Sequence, residues 1–176
     1  LKIVLIFSYN NSIMEDYCIH LLNSKWTLWY HKSDDTDWSL QSYIKLASFS
    51  SIEEFSIVYN SLEAVHIQNA MLFLMRDKIS PIWESDENKE GGCFSFKIYR
   101  QEIYEAWNEL STLLIGEGLL KEKNDFSCIN GISISPKKTF SIIKIWLKNN
   151  ENNESSKFNE ILKFNFQDAI YKKHVS

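Results

Sequence analysis

Apolar and polar residues alternate over residues 25–31 (KWTLWYH), and this aromatic-dense run with a period of two predicts a strand. Ser33, Asp34, Asp35, Thr36 and Asp37 form a polar turn, and residues 43–49 predict a second strand. Ser51, with Glu54 three positions on, has the form of a capping box. Ile52, Phe55, Val58, Tyr59 and Leu62 then recur at helical spacing, which gives a helix of about three turns. Residues 71–75 are a short apolar strand. Residues 93–99 alternate again, with Phe94, Phe96 and Ile98 on one face and Cys93, Ser95 and Lys97 on the other. A second helix is expected over residues 101–115, with Gly116 and Gly118 as its stops. Residues 129–135 and 139–147 predict two strands joined through Pro136, Lys137 and Lys138. The polar run 149–156 reads as a loop, and residues 154–164 predict a third helix. Strands and helices in this order suit an α+β domain, an antiparallel sheet with helices packed on one face.

At 176 residues, 44% of them hydrophobic, the chain is one domain's length with ample material for a core. Five glycines and two prolines exclude collagen-like and proline-rich scaffolds. The formal charge of −4 argues against gripping long nucleic acid through phosphate neutralisation alone. A small anionic ligand held by a few local lysines remains allowed. Cys18, Cys93 and Cys128 are widely spaced, so they suggest neither a disulfide framework nor a metal pair, and a reducing compartment is expected. Residues 1–7 are apolar but interrupted by Lys2, and too short to span a membrane. There is no phosphate-binding glycine loop, metalloprotease helix or nucleophile elbow, and His20, His31, His66 and His174 lie in unrelated segments. The expectation is a protein that is not an enzyme and needs neither cofactor nor metal.

The six tryptophans divide by context. Trp26, Trp29 and Trp107 lie in strand or helix patterns and are expected in the core. Trp38 and Trp83 sit in polar, turn-like segments, where a large aromatic needs another reason. Two loop indoles can sandwich a flat ligand, and a cationic ring gains about 0.5–2 kcal/mol from the indole face. Glu84 follows Trp83 directly. A carboxylate beside a stacked base accepts from two adjacent donors, and guanine offers N1–H and N2–H₂ side by side.

The run His20-x-Leu22-x-x-x-Trp26-x-Leu28-Trp29, then Trp38, Phe49 and Phe55, resembles the eukaryotic translation initiation factor 4E family. The resemblance continues through Pro81-x-Trp83-Glu84, Gly91-Gly92, Trp107, Ile115-Gly116-Glu117, Gly131 and Ile145-Trp146, and covers about residues 20 to 165. It implies a curved antiparallel sheet with three helices on its convex face and a cleft for the messenger RNA 5′ cap on its concave side. It further implies that 7-methylguanine stacks between Trp38 and Trp83, that Glu84 holds the base edge, and that Trp146 meets the N7-methyl group. Methylation makes guanine cationic, so an indole sandwich prefers the methylated base.

On the phosphate side the resemblance implies basic residues on the strand pair leading to Trp146. A family arginine falls on Lys137, with Lys138 beside it, and a family lysine falls on Ile142. Alternation puts Ile142, Lys144 and Trp146 on one face, so Lys144 is the expected substitute. Another family arginine, after the paired glycines, is replaced by Cys93. On the convex side the family docks a helical motif of a scaffold protein, factor 4G, or of repressors. His20, Ile52 and Glu109 keep that surface's character, although Leu21 follows His20 where a proline is usual. Ser56 replaces the anchoring tryptophan, and Asn108 and Thr112 replace two leucines. Residues 1–19 are expected as an N-terminal extension packed on a single cap-binding domain of residues 20–176.

The implied role is cytoplasmic: binding capped messenger RNA for translation initiation, with a scaffold of the factor 4G type or a divergent equivalent. The alternatives are a cap-binding repressor that does not recruit the usual scaffold, and an interaction module that has lost the cap.

Overall fold

The computed structural model describes residues 18–151, 153–161 and 164–174. Seven strands form one antiparallel sheet: β1 Leu21–His31, β2 Ile44–Ser51, β3 Met71–Arg76, β4 Gly92–Tyr99, β5 Ile129–Pro136, β6 Phe140–Leu147 and β7 Ile170–Lys173. Their spatial order is β2-β1-β3-β5-β6-β4-β7. Three α-helices, α1 Ile52–Asn60, α2 Ala64–Asn69 and α3 Ile103–Ile115, complete the described elements apart from short 3₁₀ turns.

The pleat sorts the side chains into two layers. Trp26 and Leu28 of β1, Leu72 and Leu74 of β3, Phe94, Phe96 and Ile98 of β4, Ile132 and Ile134 of β5, and Ile143, Ile145 and Leu147 of β6 share one core. That core also takes Phe55, Val58 and Tyr59 of α1, Ile67 of α2 and Ala106, Trp107, Leu110 and Leu114 of α3, so all three helices cover this face. The alternate residues Met71, Phe73, Met75, Cys93 and Trp146 form a smaller cluster with Tyr43 on the opposite face, which no α-helix among the described residues covers. Trp26 and Trp107 are fully buried in the main core, as expected, whereas Trp29 packs against the opposite cluster.

The predicted β1–β6 runs match the structure with boundary shifts. Two of the predicted helices are α1 and α3. The third helix is not where the sequence pattern put it. In 154–164 the described residues form one 3₁₀ turn, Ser155–Lys157, followed by isolated bridges Leu120–Phe158 and Ile161–Phe164. The apolar residues there are spaced like a helix, but Phe158, Ile161 and Phe164 plug the core from an irregular segment. The third helix is α2, too short to show a periodicity. The capping box at α1 is half present: Ser51 Oγ accepts from the Glu54 N–H (3.2 Å), while the Glu54 carboxylate accepts from the Ser50 N–H (2.7 Å). After α3 it is Glu117, not a flanking glycine, that takes the left-handed conformation (φ 56°), and its carboxylate accepts from Asn23 Nδ2 (2.9 Å). Of the N-terminal extension, residues 1–17 lie outside the described residues.

The paired glycines have a packing reason. A methyl on Gly91 would fall onto the Leu147 carbonyl of β6, and one on Gly92 would stand 2.6 Å from the Lys172 carbonyl of β7. They let β4 enter between its two neighbours. Gly91→Ala should therefore lower stability by about 1–3 kcal/mol. Gly118→Ala, whose methyl has its one tight contact with the Leu113 side-chain end at 3.1 Å, should cost less. Urea denaturation of the two variants compares them.

Candidate functional site

Two loops and two strands converge above the open face of the sheet. The first loop joins β1 to β2. Asp35 Oδ1 accepts from the Asp37 N–H (2.9 Å), and the Asp37 carboxylate accepts from the Ser39 N–H (2.8 Å) and hydroxyl (3.0 Å). The two Ser39 bonds hold the Asp37 carboxyl below its ordinary range, and together these Asx-type bonds fix the turn. Trp38, between Asp37 and Ser39, is left 51% exposed. One face of its indole lies on the buried His31 ring, with centroids 4.4 Å apart and planes 5° from parallel.

The second loop, between β3 and β4, carries Trp83 (41% exposed) and Glu84. Its shape rests on fully buried Asn88, whose Nδ2 donates to the Ser80 and Ile82 carbonyls (2.8 Å each). Asn130 at the start of β5 donates to Asn88 Oδ1 (2.9 Å) and to the Glu87 carbonyl (2.7 Å). The loop is thus bonded to the sheet immediately behind Trp83. The Glu84 carboxylate is exposed and makes no hydrogen bond to another described residue.

Trp146 of β6 is the floor: it is nearly buried, and its Nε1–H donates to Ser133 Oγ (2.9 Å). Phe73 meets it edge-on at 6.3 Å, and Tyr43 meets Phe73 edge-on at 5.2 Å. Burial and the Glu84 charge push the Tyr43 phenol up to about 12, so it stays a neutral wall. A cavity of about 360 Å³ opens here, lined by Trp38, Trp83, Glu84, Trp146, Lys137 and Lys144 among others. All four expected base-site residues therefore share one cavity. Ile142, Lys144 and Trp146 line it together, as the alternation predicts. Lys138, exposed in the β5–β6 turn, does not line it.

A second cavity of about 410 Å³ lies across Trp83 and Trp146, lined by Lys144, Ser95, Cys93, Lys172, Lys173 and His174. Sequence reasoning missed β7 and hence Lys172, Lys173 and His174, because four residues are too few to show a pattern. His174 Nδ1 donates to the Asn88 carbonyl (2.7 Å), so its Nε2 is the acceptor for the Cys93 thiol (3.1 Å). Burial pushes that thiol up to about 12 and keeps its proton on. His174 also stands 5.3 Å from Trp146 and 6.4 Å from Trp83, ring centre to ring centre. Cys93 is paired with Lys172 across the β4–β7 ladder.

On the helix-covered side, the His20 ring donates from Nδ1 to Glu53 (2.7 Å), and the His20 N–H meets both oxygens of that carboxylate. The His20 ring bond is the main cause that holds the Glu53 carboxyl down at about 2. Ile52 is exposed beside it. The Ser56 hydroxyl donates to the Ile52 carbonyl and the Thr112 hydroxyl to the Asn108 carbonyl, both at 2.8 Å, so each turns back onto its own helix. Glu109 lies one position after Asn108 on α3 and is partly exposed.

A model of the eukaryotic initiation factor 4E family matches residues 21–176. The chain belongs to that family. Among factor 4E proteins it is 32% identical to the Eremothecium gossypii protein over 136 residues, 73% of this chain but only 63% of that protein. It is also 32% identical to the Candida glabrata protein over 161 residues, 86% of this chain and 76% of that one. The curved sheet backed by helices recurs in Schistosome eIF4E complexed with m7GpppA and 4E-BP (TM-score 0.69, 26% identity, 78% of this chain and 76% of that one). It recurs again in the complex of Caenorhabditis elegans eIF4E-3 with Mextli and a cap analog (TM-score 0.67, 25% identity, 75% and 76%). The chain thus spans less than two thirds of the Eremothecium relative.

This geometry makes two expectations for a factor 4E chain. Asn88→Ala leaves the Ser80 carbonyl without its donor and strips one bond each from the Ile82 carbonyl and the Asn130 amide, and should cost about 2–4 kcal/mol in urea denaturation while exposing residues 80–91 to protease. Burial lowers the His174 pKa from 6.5. Between that value and the lower folded one, the unfolded chain holds a proton that the folded chain lacks, so stability rises with pH through the window and is lost as pH falls through it. Urea midpoints between about pH 5 and 7.5 should show this slope, and His174→Gln should flatten it.

Proposed function

We propose that this chain binds the 7-methylguanosine 5′ cap of messenger RNA and serves translation initiation. The observation that carries the reading is the meeting of Trp38, Trp83, Glu84 and Trp146 at one cavity. The solved Schistosome relative was crystallised with m7GpppA. In the proposed complex the cationic base stacks between the exposed indoles of Trp38 and Trp83, while the free Glu84 carboxylate accepts from guanine N1–H and N2–H₂. The Trp146 ring, its N–H already spent on Ser133, turns an apolar surface to the N7-methyl group. No metal or bound cofactor enters this recognition, and no bond is made or broken; the protein acts by binding.

The phosphate chain runs over Lys144, which lines both cavities, with Lys137 on the base side and Lys138 adding its charge from the turn. Where the family pattern has an arginine, Cys93 supplies no charge, but Lys172 stands across the ladder from it. The β7 lysines therefore restore the positive field from a neighbouring strand, as point charges without arginine's planar fork. No described helix is long and apolar enough to cross a membrane. A cytoplasmic place follows from the proposed role.

On the convex surface a scaffold or repressor protein of the factor 4G or 4E-BP kind docks across His20, Ile52, Ser56, Asn108, Glu109 and Thr112. Ser56 offers no aromatic anchor, and its hydroxyl and that of Thr112 are turned inward. The ordinary helical motif is therefore held weakly, which favours a divergent partner. It also keeps the repressor reading as the second one.

Tryptophan-fluorescence quenching tests the first part. The parent should prefer 7-methyl-GTP to GTP by about tenfold or more. Glu84→Ala should lose most of the 7-methyl-GTP affinity, because two charge-assisted bonds go with it. Equal, weak binding of both nucleotides would mean an interaction module without a cap site. Isothermal titration with a standard scaffold peptide tests the second part: weak binding is expected, with Ser56→Trp recovering about tenfold or more. Submicromolar affinity in the parent would sink the divergent-surface reading.

A further inference from the structure

The open face of the sheet continues past the two cavities. β4 and β6 pair Cys93 with Trp146, Ser95 with Lys144, Lys97 with Ile142 and Tyr99 with Phe140. Phe94, Phe96 and Ile98 of β4 and Ile143, Ile145 and Leu147 of β6 belong to the helix-covered core, so these alternate pairs share the open face. Trp146, Lys144 and Ile142 line the base cavity, and Cys93 and Ser95 line the second one. Lys97, Tyr99 and Phe140 line neither. Phe140 stands about 20 Å along β6 from Trp146 at the rise of a strand.

Tyr99 is 57% exposed. The Lys97 ammonium lies 5.6 Å from the centre of its ring and 4.7 Å from that of Phe140. Among the described residues Lys97 has no ion pair. Lys137 and Lys138 reach the same end of the face, because the Lys137 N–H donates to the Phe140 carbonyl and closes the turn (2.8 Å). No carboxylate occurs on β4, β6 or β7, or in the turn between β5 and β6. An exposed tyrosine alone would be ordinary. This one closes a line with aromatic rings at both ends and the lysines Lys144 and Lys97 between them.

We propose that the open face of β4 and β6 is a track for the first nucleotides of the RNA body, which leave the cap over Lys144 and Lys137. Lys97 meets a backbone phosphate, and the Tyr99 and Phe140 rings stack a base. A phosphate is a stronger partner for the ammonium than an exposed ring face, so drawing Lys97 onto it frees the rings. Single-stranded RNA is held by this combination of a positive path and aromatic faces. Stacking also tolerates any base, which suits a protein whose ligands share a cap and differ after it. The net charge of −4 is no obstacle, because the lysines are gathered on one face.

This inference rests on the cap reading, which sets where the RNA leaves the cleft, and its test separates the two. Affinities are measured by tryptophan quenching for m7GpppG and for the same cap extended by a short oligoadenylate. The parent should bind the extended cap about three- to tenfold more tightly. Tyr99→Ala and Lys97→Gln, both at exposed side chains, should bring that ratio close to one and leave the m7GpppG affinity unchanged. Tyr99→Phe should keep the advantage, because the ring stacks and the hydroxyl does not. Equal affinity for the two ligands in the parent overturns the track and leaves the cap reading intact. So does an advantage that survives in both Tyr99→Ala and Lys97→Gln, which would put the RNA elsewhere. Failure of the parent to bind either ligand overturns the cap reading and the track with it. Should the variants fail to fold, the parent's salt dependence decides. The extended cap should show a log–log slope steeper than that of m7GpppG by about 0.7 for each phosphate engaged, and equal slopes overturn the track.

Discussion

β6 sends Ile143, Ile145 and Leu147 into the helix-covered core and Ile142, Lys144 and Trp146 into the cleft, and the pleat permits no other division. The same two-sided demand acts on β3, β4 and β5. One residue slipped in register would drive Lys144 beneath α3 and present Ile143 to water. The apolar stacking beneath the helices therefore fixes the cleft lining as well: Trp146 faces the cavity because its neighbours on either side are held in the core. With β5 paired to β6, Ser133 comes opposite Lys144 and within reach of the Trp146 indole N–H. That bond spends the donor and leaves the floor apolar where a methyl group would rest.

The two walls stand outside the sheet and are held by different means. Trp83 depends on hydrogen bonds: buried Asn88 satisfies its own loop, Asn130 satisfies Asn88, and His174 seals the set from β7. Trp38 depends on a short turn of Asx-type bonds and on the ring behind it. A network of buried amides is rigid because any member that moves strands several partners. A stacked pair has no such penalty. The more rigidly bonded wall is thus the one that carries the Glu84 carboxylate.

The sequence pattern made the strands of the sheet legible wherever both faces are defined, because alternation is visible when one side must be apolar. Trp38, Trp83 and Glu84 were legible for the opposite reason: large aromatics in polar turns satisfy no rule of folding. What escaped had no local signal. β7 is four residues long, α2 less than two turns, and residues 154–161 borrow helical spacing for side chains that plug the core one at a time. Asn88 and Asn130 look like ordinary loop polars, and only their burial reveals the hub. His31 closes an apolar strand, where its ring reads as one more aromatic until Trp38 is seen upon it.

Cys93 shows how a change that reads as a loss in one dimension becomes a relocation in three. Arginine at that position would bring charge to the cleft from β4. The thiol brings none, yet with its proton retained it donates to His174, and His174 in turn binds the loop that carries Trp83. That contact fastens the end of β7, the strand that sets Lys172 across from Cys93 and brings Lys173 to the same cavity. Charge and anchoring have exchanged places between neighbouring strands. The convex surface shows no such exchange: Ser56 and Thr112 turn their hydroxyls onto their own helices, and no described aromatic replaces the anchor at Ser56 itself. The cleft side thus keeps lysines at its cavities from β6 and β7, whereas the helix-covered side carries hydroxyls at Ser56 and Thr112 that bond within their own helices.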